Sequence, residues 1–286
     1  MNAVGVIGLG LIGGSMAKAV KSNTDCIIYG MDADENVLAA AVSEGVITAG
    51  LEEHFDEIDM LLVALYPTDV VDIILGIAPR LKKGCIVIDC TGVKKIICTG
   101  LSEQLADMGL FFIGGHPMAG KEVSGYTNAD ADLYRGASMI LCTDEHTDEQ
   151  ALKLADDFFK KLGFGRVVHT TYEEHDSVIA YTSQLAHIVS SSYIKSPTLE
   201  KRYGFSAGSF KDMTRVAKLN ENMWADLFLA NEDAIVSEID SLINHLMEYE
   251  NAIEGHNREK LVALLRDGRI RKEEDEEKEA GMGGQK

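Results

Sequence analysis

The run Val4-Gly5-Val6-Ile7-Gly8-Leu9-Gly10-Leu11-Ile12-Gly13-Gly14-Ser15 narrows the fold more than any other stretch of the chain. Apolar residues lead into Gly8, Gly10 and Gly13, and a helical run opens at Ser15. A second apolar segment then ends in Asp32, 19 residues after Gly13. A glycine fingerprint between a strand and a helix, with an acid closing the next strand, is the start of a βαβ unit that cradles a dinucleotide. Gly8 permits the tight turn, Gly10 lets backbone approach a pyrophosphate, and Gly13 lets the helix lie close to the strand. The backbone N–H groups of Leu11 and Ile12, at the positive end of that helix, complete the phosphate cradle. Asp32 can accept hydrogen bonds from the adenine ribose. Its charge disfavours a 2′-phosphate, so the expected cofactor is NAD rather than NADP.

The pattern continues for about 165 residues. Short β-rich runs at 4–9, 26–32, 60–65, 85–89, 110–113, 138–142 and 166–169 alternate with amphipathic stretches such as 69–81 and 148–162. Near-continuous apolar strands interleaved with helices imply a mostly parallel sheet covered on both faces. Right-handed crossovers make it a doubly wound, Rossmann-like α/β domain, expected over 1–168. Beyond Thr170 the strand runs vanish and an all-α domain is expected over 169–270. There Ile235, Ile239, Leu242, Leu246, Tyr249 and Ile253 follow a 4, 3, 4, 3, 4 spacing, a helix seam. Such a seam packs within one subunit or across a dimer; its length favours a homodimer through the helical domain. The segment 271–286, with six acidic and four basic residues, is expected to be a frayed helix end followed by disorder.

Charge bounds the partners. The chain carries 46 acidic against 27 basic residues, a net charge of −19. That balance disfavours nucleic acid and anionic membrane. An anionic small molecule would need locally placed cations. The five cysteines form no CxxC, and most lie in apolar runs, as in a reducing cytoplasm. The apolar stretch 3–17 is interrupted by glycines, is too short to span a membrane and lacks a basic leader. No HExxH, other metal spacing or GxSxG elbow is present, so no metal is expected.

Chemistry-bearing residues cluster after strands. The turn Ala64-Leu65-Tyr66-Pro67-Thr68-Asp69 closes the third apolar run, where Leu65 and Thr68 border the cofactor crevice. Thr68 reads equally as a helix N-cap. Asp89-Cys90-Thr91-Gly92-Val93-Lys94 follows the fourth run and Gly114-Gly115-His116-Pro117-Met118-Ala119-Gly120-Lys121-Glu122 the fifth. A neutral His116 there could take a proton from an alcohol as hydride leaves; a lone histidine can also be structural. In the helical part, Ser183 and His187 stand at i and i+4, as do Lys211 and Arg215. The cation pair is either a carboxylate site or an exposed salt-bridged face.

Together GLGLIGGS, IGGHPMAGKEVSG, HDSVIAYTSQLAH and FKDMTRVAKLNENMW resemble the prephenate dehydrogenase family, in family order over roughly residues 4–253. The resemblance implies a small-molecule substrate, prephenate or arogenate: a cyclohexadiene dicarboxylate with a ring hydroxyl. NAD takes hydride from its carbinol carbon, carbon dioxide leaves and the ring becomes aromatic. It implies that His116 is the base and that Arg215 holds a substrate carboxylate. His187, Ser183 and Gln184 would lie near the substrate, Glu122 at the pocket mouth, and Trp224 would shape the site. Two positions depart from the pattern. The family's serine falls at Gly92, so its hydroxyl contact must come from Thr91 or be absent. The first histidine of the family's SHLPH-like run is Gln184, which hydrogen-bonds but does not titrate. Lys121, a cation beside the expected base, would repel the ammonium of arogenate, which favours prephenate.

Overall fold

Each apolar run becomes a strand: β1 (Ala3–Ile7), β2 (Ile27–Met31), β4 (Met60–Val63), β5 (Ile86–Asp89), β6 (Phe111–Pro117), β7 (Ser138–Cys142) and β8 (Arg166–Thr170). A two-residue edge strand, β3 (Ala49–Gly50), is too short to leave a hydrophobic signature. The computed structural model describes residues 1–121, 123–205 and 207–283. The strands form one eight-stranded sheet in the order β3-β2-β1-β4-β5-β6-β7-β8. All pairings are parallel except β6 with β7.

Alternate residues of each strand serve opposite faces, as the pleat requires. Val4, Val6, Ile28, Met60, Leu62, Ile86, Ile88 and Ile113 join one core, which α1 (Leu11–Asn23), α2 (Glu35–Ser43) and α5 (Glu149–Lys161) help to cover. Ile7, Tyr29, Leu61, Val63, Val87 and Phe112 join the other, beneath α3 (Pro67–Ile77) and α4 (Lys95–Asp107). Each fully buried aliphatic side chain contributes about 1.5–3 kcal/mol. Local chemistry starts the helices. Asp34 caps α2, and Asp148 caps α5 by accepting from the N–H groups of Gln150 and Ala151. Four of the five thiols are buried in these cores, and burial pushes those of Cys85, Cys90 and Cys142 up to about 12.

After Thr170 the described chain is helical: α6 (Tyr172–Ile179), a π turn (Ala180–Gln184), α7 (Leu185–Tyr193), α8 (Gly208–Thr214), α9 (Glu221–Ala230), α10 (Glu232–Glu254) and α11 (Arg258–Gly283), with short 3-10 turns. Two compact units result, Met1–Ile235 and Val236–Lys286. In the second, α11 continues to Gly283, past the start of the expected charged tail at residue 271, and residues 284–286 of that tail lie outside the described residues. The charges of α11 are spaced to pair along the helix. Arg269 meets Glu273 at 2.6 Å and Arg271 meets Asp267 at 2.9 Å, exposed i, i+4 pairs that water screens. Seam residues Leu246 and Ile253 remain 59% and 60% exposed. Among the described residues no helix is long and apolar enough to cross a membrane.

One strand differs from its sequence reading in a way that matters for chemistry. β6 does not stop at Ile113 but runs through Gly114, Gly115 and His116 to Pro117, because β7 pairs with this extension, His116 opposite Ile140. The glycines that interrupt the apolar pattern are packed strand residues. A Cβ on Gly115 would stand 2.5 Å from the Asp89 carbonyl oxygen. His116 therefore sits on a strand, not on a loop.

Candidate active site

The strand order reverses direction between β1 and β4, and ligands of doubly wound sheets bind outside the carboxyl ends at such a point. The glycine loop follows β1 and the Leu65 turn follows β4. Gly8 adopts φ 81°, and a Cβ there would lie 2.3 Å from Ala64 O, with Leu65 Cδ2 at 3.0 Å. A Cβ on Gly13 would collide with Gly8 O at 1.8 Å. On Gly10 it would meet nothing within 4 Å. That open face lies at the N-terminus of α1, where Leu11 and Ile12 are the first helical residues and present N–H groups without intrahelical acceptors. Asp32, just past β2, accepts from Leu9 N at 2.7 Å and from Asp34 N at 2.9 Å. Its carboxylate is thereby tied to the glycine loop with lone pairs to spare. A cradle closed to side chains except where Gly10 leaves it open fits a dinucleotide pyrophosphate. Thr68 is not the N-cap of α3. Tyr66 occupies that position, Pro67 follows, and the Thr68 hydroxyl donates to Asp69 Oδ1 at 3.2 Å.

His116 lies two strands further along the carboxyl edge. Its Nδ1 is 2.9 Å from Nε2 of His175, whose own Nδ1 is 2.7 Å from Asp176 Oδ1. Nε2 of His116 faces Gly92, 3.9 Å from where a Cβ would stand there. Beneath the histidine is a fully buried ion pair: Lys94 Nζ donates to Asp89 Oδ1, to Thr91 Oγ1 at 3.1 Å and to the Gly115 carbonyl at 2.5 Å. Burial, then the neighbouring His175, then the Lys94 cation hold the His116 imidazole well below its ordinary 6.5. It is neutral at neutral pH, as a base must be. The Thr91 hydroxyl is spent inside this network, donating to Asp89 Oδ1 at 2.7 Å.

The helical residues divide into two groups. Gln184 is buried at the end of the π turn. Its amide donates to Leu227 O at 3.1 Å and its carbonyl accepts from Asn231 at 2.7 Å, so it ties helices together. Ser183 is half-buried in the same turn, a feature frequent at functional sites. His187 donates from Nδ1 to the Val216 carbonyl at 3.0 Å and packs on Trp224 with ring centroids 3.8 Å apart. The preceding residue, Arg215, is exposed at the start of a short 3-10 turn, so His187, Arg215 and Trp224 share one neighbourhood. Lys121 pairs with Asp130 at 3.1 Å on the surface. Glu122 lies outside the described residues. A cavity of about 320 Å³ joins Tyr66, Thr68 and Asp69 at the start of α3 to Asn220, Met223 and Asp226 of the α9 region. Among the described residues no group of three His, Cys, Asp or Glu side chains could hold a metal ion. Sequence reasoning missed His175 and Asp176: they lie in a quoted motif, yet only the fold brings them to His116 across 59 residues.

Comparison with known proteins fits this division. The model of the prephenate dehydrogenase nucleotide-binding domain matches residues 16–169, and that of the prephenate dehydrogenase dimerization domain matches 171–267. Cyclohexadienyl dehydrogenase of Zymomonas mobilis is 33% identical over 262 residues, which cover 87% of this chain and 88% of that protein. Prephenate dehydrogenase of Bacillus subtilis is 31% identical over 270 residues, 91% of this chain and 72% of that one. The crystal structure of A. aeolicus prephenate dehydrogenase in complex with hydroxyphenyl propionate and NAD+ superposes with a TM-score of 0.84 at 29% identity, covering 96% of this chain and 98% of that one. The two family domains follow one another in order, meeting where strands give way to helices, and the chain belongs to the prephenate dehydrogenase family.

Proposed function

We propose that this chain catalyses the NAD-dependent oxidative decarboxylation of prephenate to 4-hydroxyphenylpyruvate, a step of tyrosine biosynthesis, in the cytoplasm and as a homodimer through its helical region. The observation that carries the reading is a neutral His116 on the carboxyl edge of the sheet, anchored at Nδ1 by His175, with Nε2 toward the Gly92 side. Bound NAD+ supplies the hydride acceptor. His116 Nε2 takes the proton of the ring hydroxyl and, once carbon dioxide has left, returns it to the phenolic oxygen, so the step consumes no net proton. With the Thr91 hydroxyl committed to Asp89, the carbinol contact falls to His116. Arg215 holds a substrate carboxylate, with His187 and Trp224 as neighbours, and Ser183 and Lys121 complete the surround. The exposed seam residues Leu246 and Ile253 support the dimer, since a second copy would remove them from water.

The deciding experiment adds NAD+ and prephenate and follows absorbance of the reduced nicotinamide, with arogenate and a simple 3-hydroxy acid in parallel. Turnover of prephenate is expected. A tenfold advantage in kcat/KM for arogenate would reverse the substrate choice, and oxidation of the 3-hydroxy acid alone would sink the reading. Lys121, already paired with Asp130, is a weaker discriminator of the two ring substrates than an unpaired cation would be.

Two further results are expected. Arg215→Ala raises KM for prephenate at least about tenfold and leaves kcat within a few-fold, because a charge-assisted pair with the carboxylate exists before the transition state. A large fall in kcat at unchanged KM would contradict that role. Gly10→Ala puts a methyl where no protein atom stands, so it leaves the melting temperature unchanged yet weakens NAD+ at least about tenfold in a titration, by filling the space of the pyrophosphate. Unaltered affinity would remove Gly10 from the cradle.

A further inference from the structure

The carboxylate of Asp176 is held by backbone rather than by a cation. Its Oδ1 accepts from Lys94 N and its Oδ2 from Lys95 N, both at 2.8 Å. Those donors open α4, a helix of 13 residues whose positive end favours an anion. An ionised carboxylate only accepts hydrogen bonds. In the 2.7 Å contact with His175, therefore, Nδ1 of the imidazole is the donor. His175 is 2% exposed and burial favours its neutral form, so a proton on Nδ1 leaves Nε2 as an acceptor. That acceptor stands 2.9 Å from Nδ1 of His116. His116 must then donate from Nδ1, and the one nitrogen left with a lone pair is Nε2, on the Gly92 side.

We propose that Asp176 and His175 are positioning residues that fix the tautomer of His116, so that the N-terminus of α4 sets, through two side chains, which nitrogen of the base faces substrate. The inference rests on the reading of His116 as the base. It adds that the base is assembled from both parts of Met1–Ile235: β6 carries it, and α6 orients it. The chain also has a use during turnover. When Nε2 gains a proton, the imidazolium still donates from Nδ1 to His175, and the Asp176 charge offsets the cation.

Nitrogen NMR of the full chain labelled in histidine tests this without any variant. The expected spectrum has His116 with an unprotonated Nε2 and a protonated Nδ1, and His175 likewise. A protonated Nε2 on His116 at neutral pH would overturn the proposal. In Asp176→Asn the amide can donate to His175 and reverse the chain. His116 should then show a protonated Nε2, and kcat should fall at least about 100-fold with KM and NAD+ affinity unchanged. An unchanged His116 tautomer in that variant would also overturn it. Asp176 additionally caps α4, so a second pair guards against misfolding. Gln at 175 keeps an acceptor for His116 Nδ1, so His175→Gln should retain at least tenfold more turnover than His175→Leu. Equal turnover would count against the chain. The underlying base assignment fails separately: if His116→Asn keeps full activity while the wild-type spectrum is as expected, the tautomer chain stands and the role of its end point does not.

Discussion

Replacing His116 with Asn should lower kcat at least about 100-fold while leaving NAD+ affinity intact, the share of rate a positioned base ordinarily supplies. Asparagine offers a polar group near the position of Nδ1, so the contact with His175 can persist, but nothing reaches where Nε2 stood. The cofactor cradle follows β1 and β4, and β4 is two strands from β6 in the sheet. The pH dependence follows from the same burial. Desolvation, then His175, then Lys94 depress the imidazole, so the active neutral form persists to a pH well below 6.5. The acid limb of kcat/KM should lie below that value, with a plateau through neutrality. Near-normal turnover in the variant, or a wild-type limb centred at or above 6.5, would take the role away from His116.

What could be read from sequence, and what could not, follows from the range of the interactions. The phosphate cradle is local: Gly8, Gly10 and Gly13 are constrained by atoms a few residues away or on the adjoining strand, and that constraint is written as a spacing. The strand–helix alternation is equally local, which is why seven strands and the change at Thr170 were readable. The reach of β6 was not, because Gly114 and Gly115 owe their place to the antiparallel partner β7 and to packing on Asp89. The motif position of Gln184 suggests a substrate contact, but not the protein partners of its amide. Its amide meets Leu227 and Asn231, more than 40 residues on. The pair His175-Asp176 carries no periodic signal at all. Its meaning depends on two backbone donors 81 and 82 residues earlier.

The buried ion pair under His116 should be the most sensitive point of the fold. Lys94 and Asp89 are both 0% exposed, and Asp89 Oδ2 has no hydrogen-bond partner among the described residues. Removing the cation strands a carboxylate and the Gly115 carbonyl in the interior, so Lys94→Met should destabilise the chain by about 3–5 kcal/mol in urea unfolding. Charge, not shape, is the argued cause. Adding Asp89→Asn removes the stranded charge, keeps an acceptor for the Thr91 N–H and hydroxyl, and should recover at least about 1 kcal/mol of the loss. A double variant as unstable as the single would mean that packing of the lysine stem, not electrostatics, is what the fold needs. Where Lys94→Met remains folded, the sign of the effect on the base is fixed as well. The cation disfavours protonation of His116, so its loss moves the acid limb of kcat/KM to higher pH. A limb that stays put would show that burial and His175 keep the imidazole neutral without the Lys94 charge.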